Sequence, residues 1–249
     1  MELEKAVAIV TGGTGGLGRR ICHRLALGGA RVVVGYGQRR AEGEAVVQEL
    51  RTGGWHAIAL GADVRDPRAV QRMVEEVHQE FGRIDILVND AAYNKWIPFS
   101  QLQELHLEDW TKILEVNLTG PFICGKAVAP FMKQQGQGRI INVASIAGFS
   151  PHGSSIAYAV SKAALIHLTR CLAVALAPEV LVNCVAPGFM EGTRMSDNLS
   201  PEFQEKARQS ALLKRPADKD DVAEIVAEFC RTDSITGQTL VVDSGRVFR

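Results

Sequence analysis

Neither sign of charge is in excess in this chain: Lys plus Arg and Asp plus Glu number 28 each. A balanced surface offers no bulk field to hold a polyanion or an acidic bilayer, so neither nucleic acid nor membrane is an expected partner. Paired cysteines are missing too. Cys22, Cys124, Cys171, Cys184 and Cys230 are scattered and odd in number, and none forms a Cys-x-x-Cys. That argues against a disulfide framework or a thiolate metal clamp and fits reduced, mostly buried thiols in a cytoplasmic protein. The six histidines do not cluster, so no metal site is expected. A basic leader is not expected, because Glu2 and Glu4 stand where its charge would be. No apolar run is expected to be long enough to cross a bilayer, the most apolar stretch being broken by Arg170 and Glu179. Repeats, low-complexity tracts and linkers are not discernible.

What is present is ordinary globular composition, 46% apolar and 22% charged over 249 residues, enough for one large α/β domain spanning 1–249. Short Val/Ile/Leu-rich runs predict strands at Val7–Val10, Arg31–Val34, Ala57–Leu60, Ile84–Val88, Arg139–Val143, Leu181–Val185 and Thr239–Val242. Helical patterns fall between them, near Leu17–Leu27, Ala41–Arg51, Pro67–Phe81, Trp110–Phe131, Tyr158–Ala177 and Asp220–Phe229. This alternation predicts a doubly wound parallel sheet of seven strands with helices on both faces. Residues 190–215 break the alternation where such sheets bind ligands, so they are expected to form a substrate lid.

The first strand runs into Thr11-Gly12-Gly13-Thr14-Gly15-Gly16-Leu17-Gly18 and then into a helix. Strand, glycine turn and helix is the context of a dinucleotide site. Glycines let the backbone approach a pyrophosphate, and the helix N-terminus offers it free N–H groups and partial positive charge. Further along, Tyr158 and Lys162 are spaced to share one helix face, with Ser145 thirteen residues before the tyrosine. An ammonium beside a phenol favours the phenolate, so the Tyr158 pKa is expected to fall toward working pH. Such a tyrosine exchanges a proton with an alcohol or ketone while a serine hydroxyl holds the substrate oxygen.

Loop, serine, tyrosine and lysine together closely resemble the short-chain dehydrogenase/reductase family, over almost the whole chain. Its look is nearest to the branch of 3-oxoacyl-carrier-protein reductases and glucose dehydrogenase-like enzymes. The resemblance implies a Rossmann-like, NAD(P)(H)-dependent oxidoreductase that interconverts an alcohol and a ketone. It implies Asn117, Ser145, Tyr158 and Lys162 as the catalytic set, with Asn117 holding a water in a proton relay and Lys162 also bonding the nicotinamide ribose. On the nucleotide side it implies Gly12, Thr14, Gly15, Gly16, Leu17 and Gly18 at the phosphates, Asp63 and Val64 at the adenine, and Asn89 and Ala91 nearby. Pro187, Gly188, Met190 and Thr193 are implied at the nicotinamide. Two departures stand out. Asp90 and Ala92 replace residues of the family's Asn-Asn-Ala-Gly segment, and Gly192 displaces the threonine to position 193.

The second strand ends in Tyr36 where NAD-selective folds place a carboxylate, and Arg39 and Arg40 follow. Lacking an acid to repel a 2′-phosphate, and with arginines to bind one, the chain is expected to prefer NADP(H), with NAD(H) also possible. Arg19 is a further candidate contact. Tyr93, Asn94, Lys95, Trp96, Phe149, His152 and the 190–199 stretch are expected to flank the substrate. Carrier-protein reductases dock their partner through arginines where this chain has Pro130 and Glu179. A free alcohol or ketone is therefore the leading expectation and a 3-oxoacyl-carrier-protein the alternative. From another class, a non-catalytic nucleotide-binding regulator is opposed by the intact catalytic set. The resemblance and the apolar C-terminal segment 238–249 imply a homotetramer.

Overall fold

The computed structural model describes residues 1–197 and 199–248. The strands are β1 (Val7–Thr11), β2 (Arg31–Tyr36), β3 (Ala57–Gly61), β4 (Ile86–Asn89), β5 (Gly138–Val143), β6 (Val180–Pro187) and β7 (Thr239–Val242). They form one parallel sheet in the order β3-β2-β1-β4-β5-β6-β7. Each predicted strand is present. The strands read as continuous apolar runs because both faces of the sheet are covered. Alternate residues point to opposite sides. Ala8, Val10, Val32 and Val34 face α1 (Gly16–Leu27), α2 (Arg40–Thr52) and α9 (Lys219–Arg231). Val7, Ile9, Val33 and Leu87 face α3 (Pro67–Phe81), α5 (Gly120–Gln135) and α6 (Ile156–Leu176).

Local chemistry fixes the ends of these elements. The carboxylate of Asp66 accepts from the Arg68 N–H at 2.8 Å and Pro67 takes the first helical turn, so α3 starts there. Gly82, at φ 73°, ends it in the left-handed region. β4 starts at Ile86 rather than Ile84; just before it, the Asp85 side chain accepts from Val7 N at 2.8 Å and pairs with Arg83 at 2.7 Å.

The predicted Trp110–Phe131 helix is divided. It consists of α4 (Leu107–Leu114), a π-helical turn at Glu115–Thr119, and α5. Pro121 has no N–H for the carbonyl of Asn117, so regular α-helical bonding cannot run through the junction. The helix α6 is long and apolar enough to cross a bilayer, which corrects the expectation that no run qualifies. Here Leu165, Ile166, Leu172 and Leu176 are buried and pack the helix onto β6 and its neighbours.

The chain order reverses between β1 and β4, and a crevice opens beyond the C-terminal ends of the strands at that switch point. Residues 190–215 carry α7 (Arg194–Asp197) and α8 (Pro201–Ser210) beside that crevice. Asn198, within the expected lid, and Arg249, within the expected interface segment, lie outside the described residues.

Candidate active site

A cavity of about 640 Å³ fills the crevice. Its floor is the glycine loop. Gly12 has φ +70°, and a Cβ there would lie 2.8 Å from the Ala91 backbone. A Cβ on Gly18 would strike the Gly12 carbonyl and approach the Asp90 carboxylate to 2.8 Å. Side chains at these positions would close the surface that a pyrophosphate needs. The first turn of α1 contributes Gly16 and Leu17 to the same wall. The residues present thus fit a dinucleotide.

The opposite wall is set by β5 and α6. Ser145 follows β5 and accepts from Ala147 N at 3.2 Å, which fixes the turn that aims its hydroxyl. Ser155 caps α6 by accepting from Tyr158 N at 3.2 Å. Tyr158 therefore lies in the first turn, with Lys162 one turn on and 5.7 Å from its ring centroid. Lys162 is 3% exposed, and its Nζ donates to the Val143 carbonyl at 2.8 Å. Below it a buried polar chain, Asn89 to Asn142 to Thr169, ties β4, β5 and α6 together at 2.9 Å per bond.

The electrostatics correct one expectation. The Tyr158 pKa is pushed up to about 12, not down. Burial is the main cause. A hydrogen bond with Ser145 opposes it, and the Asp90 charge adds to it. The Lys162 ammonium is held by Val143 and is itself pulled down to about 8 by burial, against the Asp90 charge. Asp90 is pushed up to about 7 by burial, which outweighs Lys162 and the Gly18 N–H.

Gly12, Thr14, Gly15, Gly16, Leu17, Tyr36, Arg39, Asp63, Val64, Ala91, Ser145, Tyr158, Lys162, Pro187, Gly188, Met190 and Thr193 all line the cavity. Gly18, Arg40, Asn89 and Asn117 do not. Gly18 supports the loop from behind. Arg40 is largely exposed and pairs with Glu44. Asn89 donates its Nδ2 to Asn142, and its Oδ1 is buried without a partner. Asn117 is fully buried: it accepts from Tyr93 N at 2.8 Å and donates to Tyr93 O at 2.9 Å and Ser161 Oγ at 3.1 Å. It grips the chain after β4 with its whole amide. Arg19 pairs with Glu49, and Asp63 with Arg65, which holds its carboxyl low.

On the substrate side, Tyr93, Asn94 and His152 reach the wall, whereas Lys95, Trp96 and Phe149 do not. Lys95 pairs with Asp109, and Trp96 packs edge-on against Phe203 at 4.9 Å. The expected 190–199 stretch also reaches the wall. Arg194 joins Arg39 on the shared partner Glu42, and Met195 Sδ receives the Tyr158 hydroxyl at 3.7 Å. Asp90 and Arg246 line the wall without having been singled out as contacts from the sequence. Asp90 carried a signal as a departure from a motif, and Arg246 carried none.

A seven-stranded parallel sheet with a glycine cradle and a Ser–Tyr–Lys wall in one cavity defines a nucleotide-dependent oxidoreductase fold. Residues 6–204 match the short chain dehydrogenase family model, and the chain belongs to that family. It is an NAD(P)-dependent oxidoreductase of the alcohol–ketone couple with a small-molecule substrate. It is 39% identical to a 3-oxoacyl-(acyl-carrier-protein) reductase of Synechocystis sp., over 98% of both chains. A Staphylococcus epidermidis protein of the same name is 36% identical, over 96% of this chain and 97% of its own. Among solved structures, gox2181 superposes with a TM-score of 0.92 at 30% identity, covering 98% of this chain and 97% of its own.

Proposed function

We propose that this protein is an NADP(H)-dependent carbonyl reductase acting on a free small ketone, with Tyr158 as proton donor. The observation that carries this reading is Tyr158, Ser145 and Lys162 on one wall of the cavity whose floor is the glycine cradle. A bound nicotinamide supplies the hydride to the carbonyl carbon. Tyr158 gives its hydroxyl proton to the carbonyl oxygen, and Ser145, whose hydroxyl favours the Tyr158 phenolate against burial, holds the oxygen in line. Lys162, anchored on Val143, carries positive charge beside the tyrosine. Asn117 positions the Tyr93 loop and, through Ser161, α6. Oxidation reverses the proton transfer.

NADP(H) preference rests on Tyr36 in place of a carboxylate and on Arg39 at the same end of the cavity. Arg194 joins it there through Glu42. We assign 190–215 as a lid within one domain of residues 1–249. Met190, Thr193, Met195 and Phe203 overhang the cavity, and Met195 covers the reacting hydroxyl. An entering carbonyl displaces that sulfur.

The second reading, a 3-oxoacyl-carrier-protein reductase, is supported by the names of the relatives. A homotetramer is supported by apolar side chains left exposed on α5, α6 and the C-terminal segment: Phe122 at 45%, Val174 at 83% and Phe248 at 75%. A shallow apolar groove of about 270 Å³ between α5 and α6 adds to that face. We place the protein in the cytoplasm, with thiols reduced.

The test is NADPH and NADH oxidation at 340 nm against neutral ketones and a 3-oxoacyl thioester. Higher kcat/KM with NADPH and a free ketone supports the leading reading. Preference for the thioester selects the second, and preference for NADH refutes the cofactor assignment.

A further inference from the structure

The far wall of the cavity carries a cationic group and two polar atoms that the proposed chemistry leaves unused. Arg246 lines the cavity from the C-terminal segment. Its guanidinium is partly buried and makes no hydrogen bond or ion-pair contact among the described residues. The one carboxylate whose field it feels is Asp243, and both Asp243 oxygens are already taken by the N–H groups of Gly245 at 2.9 Å and Val247 at 2.6 Å. Burial destabilises a guanidinium unless an anion or acceptor meets it.

Arg246 is not placed there by a loose tail. Leu212 N donates to Gly245 O at 3.2 Å and Leu213 N to Ser244 O at 3.1 Å, which fastens the segment to the end of the lid. Gly188 N donates to Val242 O at 2.9 Å, which fastens it to β6.

The 152–154 turn supplies the other groups. His152 Nε2 and Ser154 Oγ are buried without a hydrogen-bond partner, and both residues line the cavity. His152 Nδ1 lies 2.7 Å from Ser150 Oγ. With that hydroxyl donating to Nδ1, the ring presents an N–H at Nε2. Burial and the Arg246 charge both lower the His152 pKa. The turn lies against the catalytic residue: a Cβ on Gly153 would sit 3.5 Å from Tyr158 Cδ1.

We propose that Arg246, His152 Nε2 and Ser154 Oγ form an anion subsite and that the physiological substrate is a keto acid. Its carboxylate binds there while its carbonyl meets Tyr158. One permanent cation and two neutral donors match the single charge and two oxygens of a carboxylate. This rests on the reductase reading above and adds the substrate class.

The test pairs 2-oxobutanoate, 3-oxobutanoate and 4-oxopentanoate each with its methyl ester, using NADPH as reductant. The expected result is that at least one acid exceeds its ester by about tenfold or more in kcat/KM. Arg246→Met should lower that acid about 30- to 100-fold, chiefly through KM, and leave the ester within about threefold. Arg246→Lys should restore part of the loss. Equal kinetics for every acid and ester in the wild type overturns the subsite and leaves the reductase standing. So does an equal loss for both members in Arg246→Met with NADPH affinity unchanged. If Arg246→Met does not fold, His152→Leu with Ser154→Ala must show the same selective loss, and failure to do so overturns the subsite. Absence of turnover of every acid and ester with NADPH bound removes the free-ketone reading instead. The subsite is then read from thermal stabilisation of the NADPH complex by 3-oxobutanoate, which must be present in the wild type and absent in Arg246→Met.

Discussion

The two ends of the cavity are built differently. The nucleotide end is mostly backbone: glycine turns, strand ends and a helix N-terminus, tied by the Asn89–Asn142–Thr169 chain, with the side chains of Tyr36 and Arg39 at its outer edge. The other end is side chains from segments far apart in sequence: His152, Met195, Phe203 and Arg246. Backbone constraint fixes one cofactor geometry and tolerates almost no substitution. Side-chain walls let one reaction be redirected to different substrates. The difference teaches that reaction class and substrate class are encoded by separate parts of this chain.

The largest expected effect lies where the two ends meet. Tyr158→Phe removes the proton donor but keeps the ring, so turnover should fall by about 10² or more with NADPH affinity nearly unchanged. Steady-state kinetics beside fluorescence titration of NADPH checks this, and near wild-type turnover would sink the mechanism. At the nucleotide end, Gly18→Ala forces a methyl against the Gly12 carbonyl and Asp90. We expect NADPH affinity to drop about tenfold or more, with a lower Tm. An unchanged Kd would show that the cradle is not rigid.

A smaller effect separates the two arginines. Arg39 faces the cavity and Arg40 pairs with Glu44 in solvent. Arg39→Ala should reduce the NADPH-over-NADH ratio of kcat/KM about fivefold to tenfold, and Arg40→Ala should leave it unchanged within about twofold. The reverse order would move the phosphate site.

The smallest effect is a pH dependence. Burial raises Asp90 from the usual carboxylate range to about 7 in the folded chain. The folded state therefore holds this proton more tightly than the unfolded one. The stability so gained is fully present below about pH 4 and is lost as pH climbs through about 7. Asp90→Asn should thus melt like the wild type at pH 4 and several degrees higher at pH 8. Calorimetry across that range decides it, and coincident curves at pH 8 would mean the carboxylate is not strained. The same variant should bind NADPH more tightly at pH 8, because it removes a negative charge beside the phosphate cradle.

The sequence by itself determined the sheet. Seven apolar runs, a glycine turn after the first and helical periodicity between them leave few topologies, because local patterning and right-handed crossovers are short-range rules. Ser145, Tyr158 and Lys162 were legible for the same reason: each sits at a fixed offset within or just before one helix. Only tertiary structure decided the rest. Asn117 lies in a π-helical turn because Pro121 and the Tyr93 backbone act on it together. The Tyr158 pKa rises because burial and Asp90 act on it while Lys162 is held by Val143. Arg246 reaches the cavity from a segment with no motif of its own. Charge placement and burial depend on what the fold brings near, and that is written in no local pattern.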